Sequence, residues 1–115
     1  MKFKNMFSPI QIGPMTVKNR FVVPPMGNNF ANSDGTWSDE SVAYYGERAK
    51  GQFGLITIEA TVVHKGAKGG PKKPCLYDDN SIESLKKITD ACHEEGAKVS
   101  IQLQNAGPEG NAKNA

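Results

Sequence analysis

The chain has 115 residues, which is enough for one domain with a modest hydrophobic core. Hydrophobic residues make up 37% of it and charged residues 23%, a balance typical of a soluble globular protein. The formal net charge of +2 argues against a dedicated nucleic-acid or membrane-surface binder, which would carry a clustered excess of Lys and Arg. No apolar run approaches the ~20 residues of a membrane span, and the N-terminal segment lacks the apolar stretch of a signal peptide. We therefore expect a cytoplasmic protein.

The first predicted elements are a β-hairpin and a short strand. Over residues 8–20, apolar residues alternate with polar ones on both sides of Gly13-Pro14, which is a turn signal. The apolar run 21–23 then favours a strand. Pro24-Pro25 ends it, because proline cannot donate to a sheet ladder.

Two helices are predicted, over residues 39–50 and 81–95. Ser38 is the expected N-cap of the first helix, and Gly51 ends it. The second helix is expected to begin with a capping box formed by Asn80 and Glu83 and to end at Gly96. Its apolar residues recur at helical spacing and predict one buried stripe of Ile82, Leu85, Ile88 and Cys92.

Two more strands are predicted, over residues 54–63 and 97–104. The first is nearly continuously apolar, which is typical of a strand buried on both faces of a parallel sheet. The segment 64–78 holds four lysines, three glycines and two prolines, and is predicted to be an irregular loop. The polar segment 105–115 is predicted to be a mobile tail.

The order of these elements predicts an α/β fold, in which helical crossovers join parallel strands. Three parallel strands with two helices fall short of a doubly wound sheet, and also of a closed eight-stranded barrel of ~250 residues. The outer strands would each keep an open edge, which proteins normally cover. We therefore expect residues 1–115 to form a single partial domain.

The cysteines and histidines predict no metal site. Cys75 and Cys92 are too far apart in sequence for a metal pair, and are interpreted as a loop thiol and a buried helix thiol. His64 and His93 lack partners at ligand spacing. No Ser/His/Asp constellation is present either, so the sequence identifies no catalytic residue.

A binding site is expected where the parallel strands end, because ligands of α/β sheets bind at the carboxyl edge. Pro25, Met26 and Gly27 offer backbone groups there, and Ala60 leaves room for a ring system. The amide of Gln102 can donate and accept at once, as the edge of a planar heteroaromatic cofactor requires. In the alternative interpretation, Gln102 is a buried amide paired with neighbouring backbone.

The glycines of the 64–78 segment do not fit a dinucleotide or phosphate loop, because they neither follow a strand directly nor open a helix. Its lysines could attract an anionic substrate, or could simply be solvated loop charge; they are Lys65, Lys68, Lys72 and Lys73.

Several motifs, in order and at the expected spacing, resemble one known family. Residues 7–13 read FSPIQIG, 17–26 read VKNRFVVPPM, 54–60 read GLITIEA and 101–107 read IQLQNAG, with Tyr44-Tyr45 between the second and third runs. This pattern resembles the N-terminal signature of the old yellow enzymes, the FMN-dependent NADH:flavin oxidoreductases. It is most similar to the bacterial branch with 2,4-dienoyl-CoA reductases and enoate reductases.

The resemblance implies the N-terminal hairpin, first three strands and two helices of a TIM (β/α)8 barrel, with the barrel incomplete. It implies FMN contacts from Pro25, Met26, Gly27, Ala60 and Gln102. It also implies hydride transfer from NAD(P)H through FMN to an activated alkene, such as an enoate, an enone or a dienoyl thioester. Two departures stand out: residues 105–108 read NAGP where the family often has His-x-Gly-Arg, and Gly27 stands where some relatives carry Cys, Thr or His.

Two alternatives remain open beside the oxidoreductase. The chain could be a truncated, non-catalytic fragment that self-associates or needs a complementary barrel segment. It could also be a small anion-binding module built on the lysine loop. The expected partner in the leading interpretation is a small-molecule substrate, and neither nucleic acid nor a membrane is expected.

Overall fold

A computed structural model describes residues 2–110, which begin with an antiparallel hairpin. Strand β1 (Ile10–Ile12) pairs with β2 (Met15–Val17). The turn between them passes through Gly13, whose φ of +56° lies in the left-handed region that glycine adopts without strain. The hairpin predicted over residues 8–20 is confirmed.

Three parallel strands follow, and they form the sheet that positions the candidate site. They are β3 (Val22–Val23), β4 (Leu55–Val62) and β5 (Lys98–Gln104). Their spatial order is β3-β4-β5, with both pairings parallel, so β4 is central. The three strands predicted from the sequence, and their parallel arrangement, are confirmed.

Helix α1 (Asp39–Lys50) connects β3 to β4 and begins as the sequence predicts. The Ser38 hydroxyl accepts the backbone N–H of Ser41 at 3.1 Å, which satisfies one of the free donors of the first turn. Tyr45 and Ala49 are buried one turn apart on the face that packs into the core. Gly51 caps the carboxyl end.

Helix α2 (Ile82–Glu94) connects β4 to β5, but it begins differently from the prediction. A 3₁₀ turn (Asp79–Ser81) leads into it, and the Asp78 carboxylate accepts the N–H of Asn80 at 3.0 Å. The capping box of Asn80 and Glu83 is therefore wrong. Ile82 is 59% exposed, so the buried stripe begins one turn later than predicted.

The core lies between the two helices and one face of the sheet. Ile56 and Ile58 of β4 pack there with Ile88 and Cys92 of α2. Burial raises the pKa of the Cys92 thiol to about 11. The opposite face is more open: β4 is half-buried at Leu55, Thr57 and Ala60 and buried at its other positions, so it is buried on both faces only in part and not throughout as predicted. The reason is that no helix or strand among residues 2–110 covers that face.

The loop 64–78 is more ordered than its composition indicates. It contains a 3₁₀ turn (Lys65–Ala67), and Cys75 forms a parallel bridge with Val62 at the end of β4. The Cys75 N–H also donates to the carbonyl of Gly35 at 2.8 Å. These backbone bonds hold the loop against the end of the sheet, so the prediction of a wholly irregular loop is wrong.

The segment after β5 contacts this loop. The N–H of Ala106 donates to the carbonyl of Ala67 at 3.1 Å, and a 3₁₀ turn follows (Gly107–Glu109). The rest of the predicted mobile tail, 111–115, lies outside the described residues, and its mobility stays a prediction. Within residues 2–110, neither helix is long and apolar enough to cross a membrane.

Candidate functional site

The parallel register brings the predicted site residues to one edge of the sheet. Val23 pairs with Ile56, and the chain then continues through Pro25–Gly27 alongside β4. Ile58 pairs with Ile101, and the register shifts before Thr61 meets Leu103. In this irregular stretch, Glu59 and Ala60 of β4 lie opposite the single residue Gln102 of β5.

Glu59 extends this edge toward the loop after β3. One of its carboxylate oxygens accepts the backbone N–H of Asn28 at 3.2 Å. Asn28 directly follows Gly27, so the loop after β3 is bonded to β4 at the point where β4 faces Gln102. The structure therefore brings Pro25–Gly27, Ala60 and Gln102 together.

Most of the predicted site residues are accessible in the described part of the chain. Met26, Gly27 and Gln102 are exposed, whereas Pro25 and Ala60 are half-buried. The Gln102 amide makes no hydrogen bond within residues 2–110, although the backbone around it is paired with β4. The alternative interpretation of Gln102 as a buried amide paired with backbone is therefore wrong.

The Glu59 carboxyl is the feature that sequence reasoning missed. It is completely buried, and the Tyr45 hydroxyl lies 3.4 Å from its second oxygen. That hydroxyl also accepts the backbone N–H of Glu59 at 3.0 Å. The signal for it was present in the sequence, since a lone carboxyl interrupts an apolar strand and needs partners when buried.

Burial controls the protonation of this carboxyl. Loss of hydration raises the pKa of Glu59, while the hydrogen bonds from Asn28 and Tyr45 and the charge of Lys73 act in the opposite direction. The same burial raises the pKa of Tyr45. Glu59 is thus a hydrogen-bond acceptor that holds helix α1 and the loop after β3 together.

The four lysines of the 64–78 loop occupy different environments. Lys68 is buried, and its ammonium donates to the carbonyl of Ser33 at 3.2 Å, so it is not solvated loop charge. Lys65 and Lys72 are exposed. Lys73 is half-buried, and its Nζ lies 3.1 Å from the position that a Cβ on Gly27 would occupy. Lys73 is thus a neighbour of the predicted site residue Gly27.

A sequence model of the NADH:flavin oxidoreductase / NADH oxidase family matches residues 5–115. The chain belongs to this family. The family uses FMN, with NAD(P)H as the reductant. The resemblance to the old yellow enzymes is confirmed.

Solved structures of family members superpose closely on the chain. A 2-naphthoyl-CoA reductase in complex with 2-naphthoyl-CoA is 33% identical with a TM-score of 0.91, over 96% of this chain and 17% of that one. The old yellow enzyme from Trypanosoma cruzi is 34% identical with a TM-score of 0.89, over 99% and 30%. The old yellow enzyme from Pichia sp. AKU4542 is 36% identical with a TM-score of 0.82, over 88% and 26%.

The chain therefore spans less than a third of each of these structures. They are TIM barrels, and the hairpin, three parallel strands and two helices form the N-terminal part of such a barrel. The predicted fold class is confirmed, including the incomplete barrel within residues 2–110.

Proposed function

We propose that the chain is part of an FMN-dependent oxidoreductase, and that its carboxyl edge holds the isoalloxazine ring. The observation that carries this proposal is the exposed Gln102 amide without a hydrogen-bond partner in the described chain, beside Ala60 and the loop 25–27. Family membership supports FMN as the ligand of this edge.

The residues of this edge fit a flat, polar ring. The Gln102 amide offers a donor and an acceptor to the mixed N–H and C=O edge of such a ring. Ala60 is small, so it permits close approach of a planar group, and the backbone of Gly27 is not screened by a side chain of its own. Pro25 cannot donate a backbone hydrogen bond, which leaves Met26 and Gly27 as the backbone donors of this loop. When bound, FMN supplies the hydride-transfer chemistry.

We further propose that the alkene substrate is a thioester, an enone or an enoate, reduced with hydride from NAD(P)H through FMN. The similarity to a reductase that binds 2-naphthoyl-CoA supports the thioester among these. In this proposal the chain orients the ring through Gln102, Ala60 and the loop 25–27.

The proposal is tested by FMN titration of the full-length protein, comparing wild type with Gln102→Leu. We expect the substitution to weaken FMN binding by ~1–3 kcal/mol, the usual cost of leaving a buried polar partner unpaired. Gln11→Leu is the matched control, because Gln11 is an exposed glutamine in the hairpin, away from the strand ends. Equal FMN affinity in wild type and Gln102→Leu would contradict the proposed role of this edge.

A second candidate is a non-catalytic fragment that self-associates or binds a complementary barrel segment. The exposed side chains of Val22 and Leu103 on the two outer strands favour it. In that case the 115-residue chain by itself binds FMN with a dissociation constant above about 1 μM, which corresponds to a binding free energy weaker than about −8 kcal/mol. A submicromolar dissociation constant for the isolated chain would exclude this candidate.

A further inference from the structure

We propose that Lys73 adds a positive charge to the flavin site, with its ammonium beside the space that a side chain at residue 27 would fill. In this role it stabilises negative charge on the reduced ring. The inference rests on the proposed function, and it adds a residue that the sequence motifs do not include.

The first argument is the fit between Lys73 and two glycines. A Cβ on Gly27 would lie 3.1 Å from the Lys73 Nζ, which is tighter than ordinary van der Waals contact. A Cβ on Gly70 would lie 3.8 Å from both Cγ and Cε of the same side chain. The lysine therefore runs past Gly70 and ends beside the Gly27 backbone.

The second argument is that the backbone next to Lys73 is anchored to the sheet. The N–H of Val62 donates to the carbonyl of Pro74 at 2.9 Å, and the N–H of Leu76 donates to the carbonyl of Val62 at 2.8 Å. Pro74 and Cys75 are buried. Lys73 thus projects from a fixed point beside the end of β4 and not from a free loop tip.

The third argument is that the Lys73 ammonium forms no ion pair with a carboxylate of the described chain. The ion pairs within residues 2–110 are Lys50–Glu47 and Lys86–Asp90, both on helix surfaces. The Lys73 ammonium donates no hydrogen bond to any residue within 2–110, whereas the Lys68 ammonium donates to the carbonyl of Ser33. The charge of Lys73 lowers the pKa of the buried Glu59 carboxyl, against the larger effect of burial, without an ion pair between the two groups.

Such a cation has a definite electrostatic consequence. Two-electron reduction adds negative charge to a bound flavin, and a nearby ammonium stabilises the reduced form more than the oxidised form. Because the Lys73 side chain is half-buried, the effect is larger than that of a fully exposed lysine. Removal of the charge should therefore lower the reduction potential of bound FMN.

The test compares the reduction potential of bound FMN in full-length wild type, Lys73→Met and Lys73→Arg. We expect Lys73→Met to weaken binding of reduced FMN about tenfold relative to oxidised FMN, which corresponds to a potential about 30 mV more negative. Lys73→Arg keeps the charge and should stay close to wild type. Lys72→Met is the matched control, because it removes the same charge from the adjacent exposed position.

The outcomes separate this inference from the proposed function. If wild type binds FMN but Lys73→Met keeps the wild-type potential, or Lys72→Met shifts it equally, the role of Lys73 is overturned while the flavin site stands. If wild type binds no FMN, the proposed function fails and the inference fails with it. A folding defect in Lys73→Met, visible by circular dichroism, leaves Lys73→Gln and Lys73→Arg as the deciding pair. The role of Lys73 then requires Lys73→Gln, which removes the charge but keeps a polar side chain, to lower the potential and Lys73→Arg to preserve it.

Discussion

Glu59 shows how a single buried residue couples the candidate site to the core. Its carboxyl accepts a hydrogen bond from the loop after β3 and contacts the hydroxyl of Tyr45 in helix α1. A buried carboxyl is stable only when such partners replace the water it has lost. The loop at residues 25–28 is consequently held by an interaction within the chain itself and does not depend on a ligand.

This environment predicts a particular pH dependence of stability. Because burial raises the pKa of Glu59 in the folded state, the folded protein binds more protons than the unfolded chain above the ordinary glutamate pKa of 4.5. The contribution of Glu59 is therefore fully present at lower pH and is lost as pH rises through the folded-state pKa. Glu59→Gln, which does not ionise, should flatten this decline.

Urea unfolding at a series of pH values measures the effect. The free energy of unfolding of wild type should fall more steeply with rising pH than that of Glu59→Gln, over the window above pH 4.5. Glu83→Gln is the control, because Glu83 is exposed in the first turn of α2. If wild type and Glu59→Gln have parallel pH profiles, the Glu59 carboxyl is hydrated and the buried geometry is wrong.

At the scale of single elements, two residues compete as the cap at the start of α2, Asn80 and Asp78. The sequence pattern assigns the cap to Asn80, whereas the Asp78 carboxylate makes the observed hydrogen bond to the Asn80 N–H. An N-cap side chain is worth about 1 kcal/mol, because it satisfies a backbone donor without a partner in the first turn, here in the 3₁₀ turn that leads into α2.

We therefore expect Asp78→Ala to lower the free energy of unfolding by about 1 kcal/mol and Asn80→Ala to change it by much less. Thermal and chemical denaturation of the two variants measure the difference. Asp79→Ala controls for loss of a negative charge near the helix start, since no side-chain hydrogen bond of Asp79 is formed within residues 2–110. The reverse order, with Asn80→Ala more damaging, would restore the scheme predicted from the sequence.

Elements governed by local signals were predictable from the sequence, and those governed by tertiary contacts were not. The hairpin turn at Gly13 and the cap at Ser38 depend on residues within a few positions of each other, so their patterns suffice. Asp78 could not be distinguished from Asn80, because both are good capping residues and only the path of the preceding loop decides between them. The order in the 64–78 loop depends on a bridge between Cys75 and Val62, which lie 13 positions apart in the sequence.

The candidate site also has a part that the sequence predicts and a part that depends on tertiary contacts. Strand ends follow from strand assignments, so the grouping of Gln102, Ala60 and the loop 25–27 was predictable once the sheet was parallel. The proximity of Lys73 to Gly27 was not, since it requires the packed course of the loop. The burial of Lys68 was missed for the same reason, because its partner Ser33 belongs to a different loop.

At the scale of the whole molecule, the sheet ends in two outer strands with different exposure. β3 has only two residues, so it offers few free backbone groups. β5 has seven residues and carries Leu103, which is 62% exposed. A long outer strand with an exposed apolar side chain is a site for pairing with another chain, because its free N–H and C=O groups retain their hydrogen-bonding capacity.

We therefore predict that the 115-residue chain by itself associates with further copies of itself through β5. Light scattering and sedimentation over a range of concentrations should give a mass that rises with concentration. Leu103→Lys should reduce this association, since a charge on an outer strand opposes pairing. Ile82→Lys is the matched control, because Ile82 is 59% exposed but lies at the start of α2, outside the sheet. Equal effects of the two lysines would assign the association to general hydrophobicity, and a constant monomer mass would show that the open edge is not used.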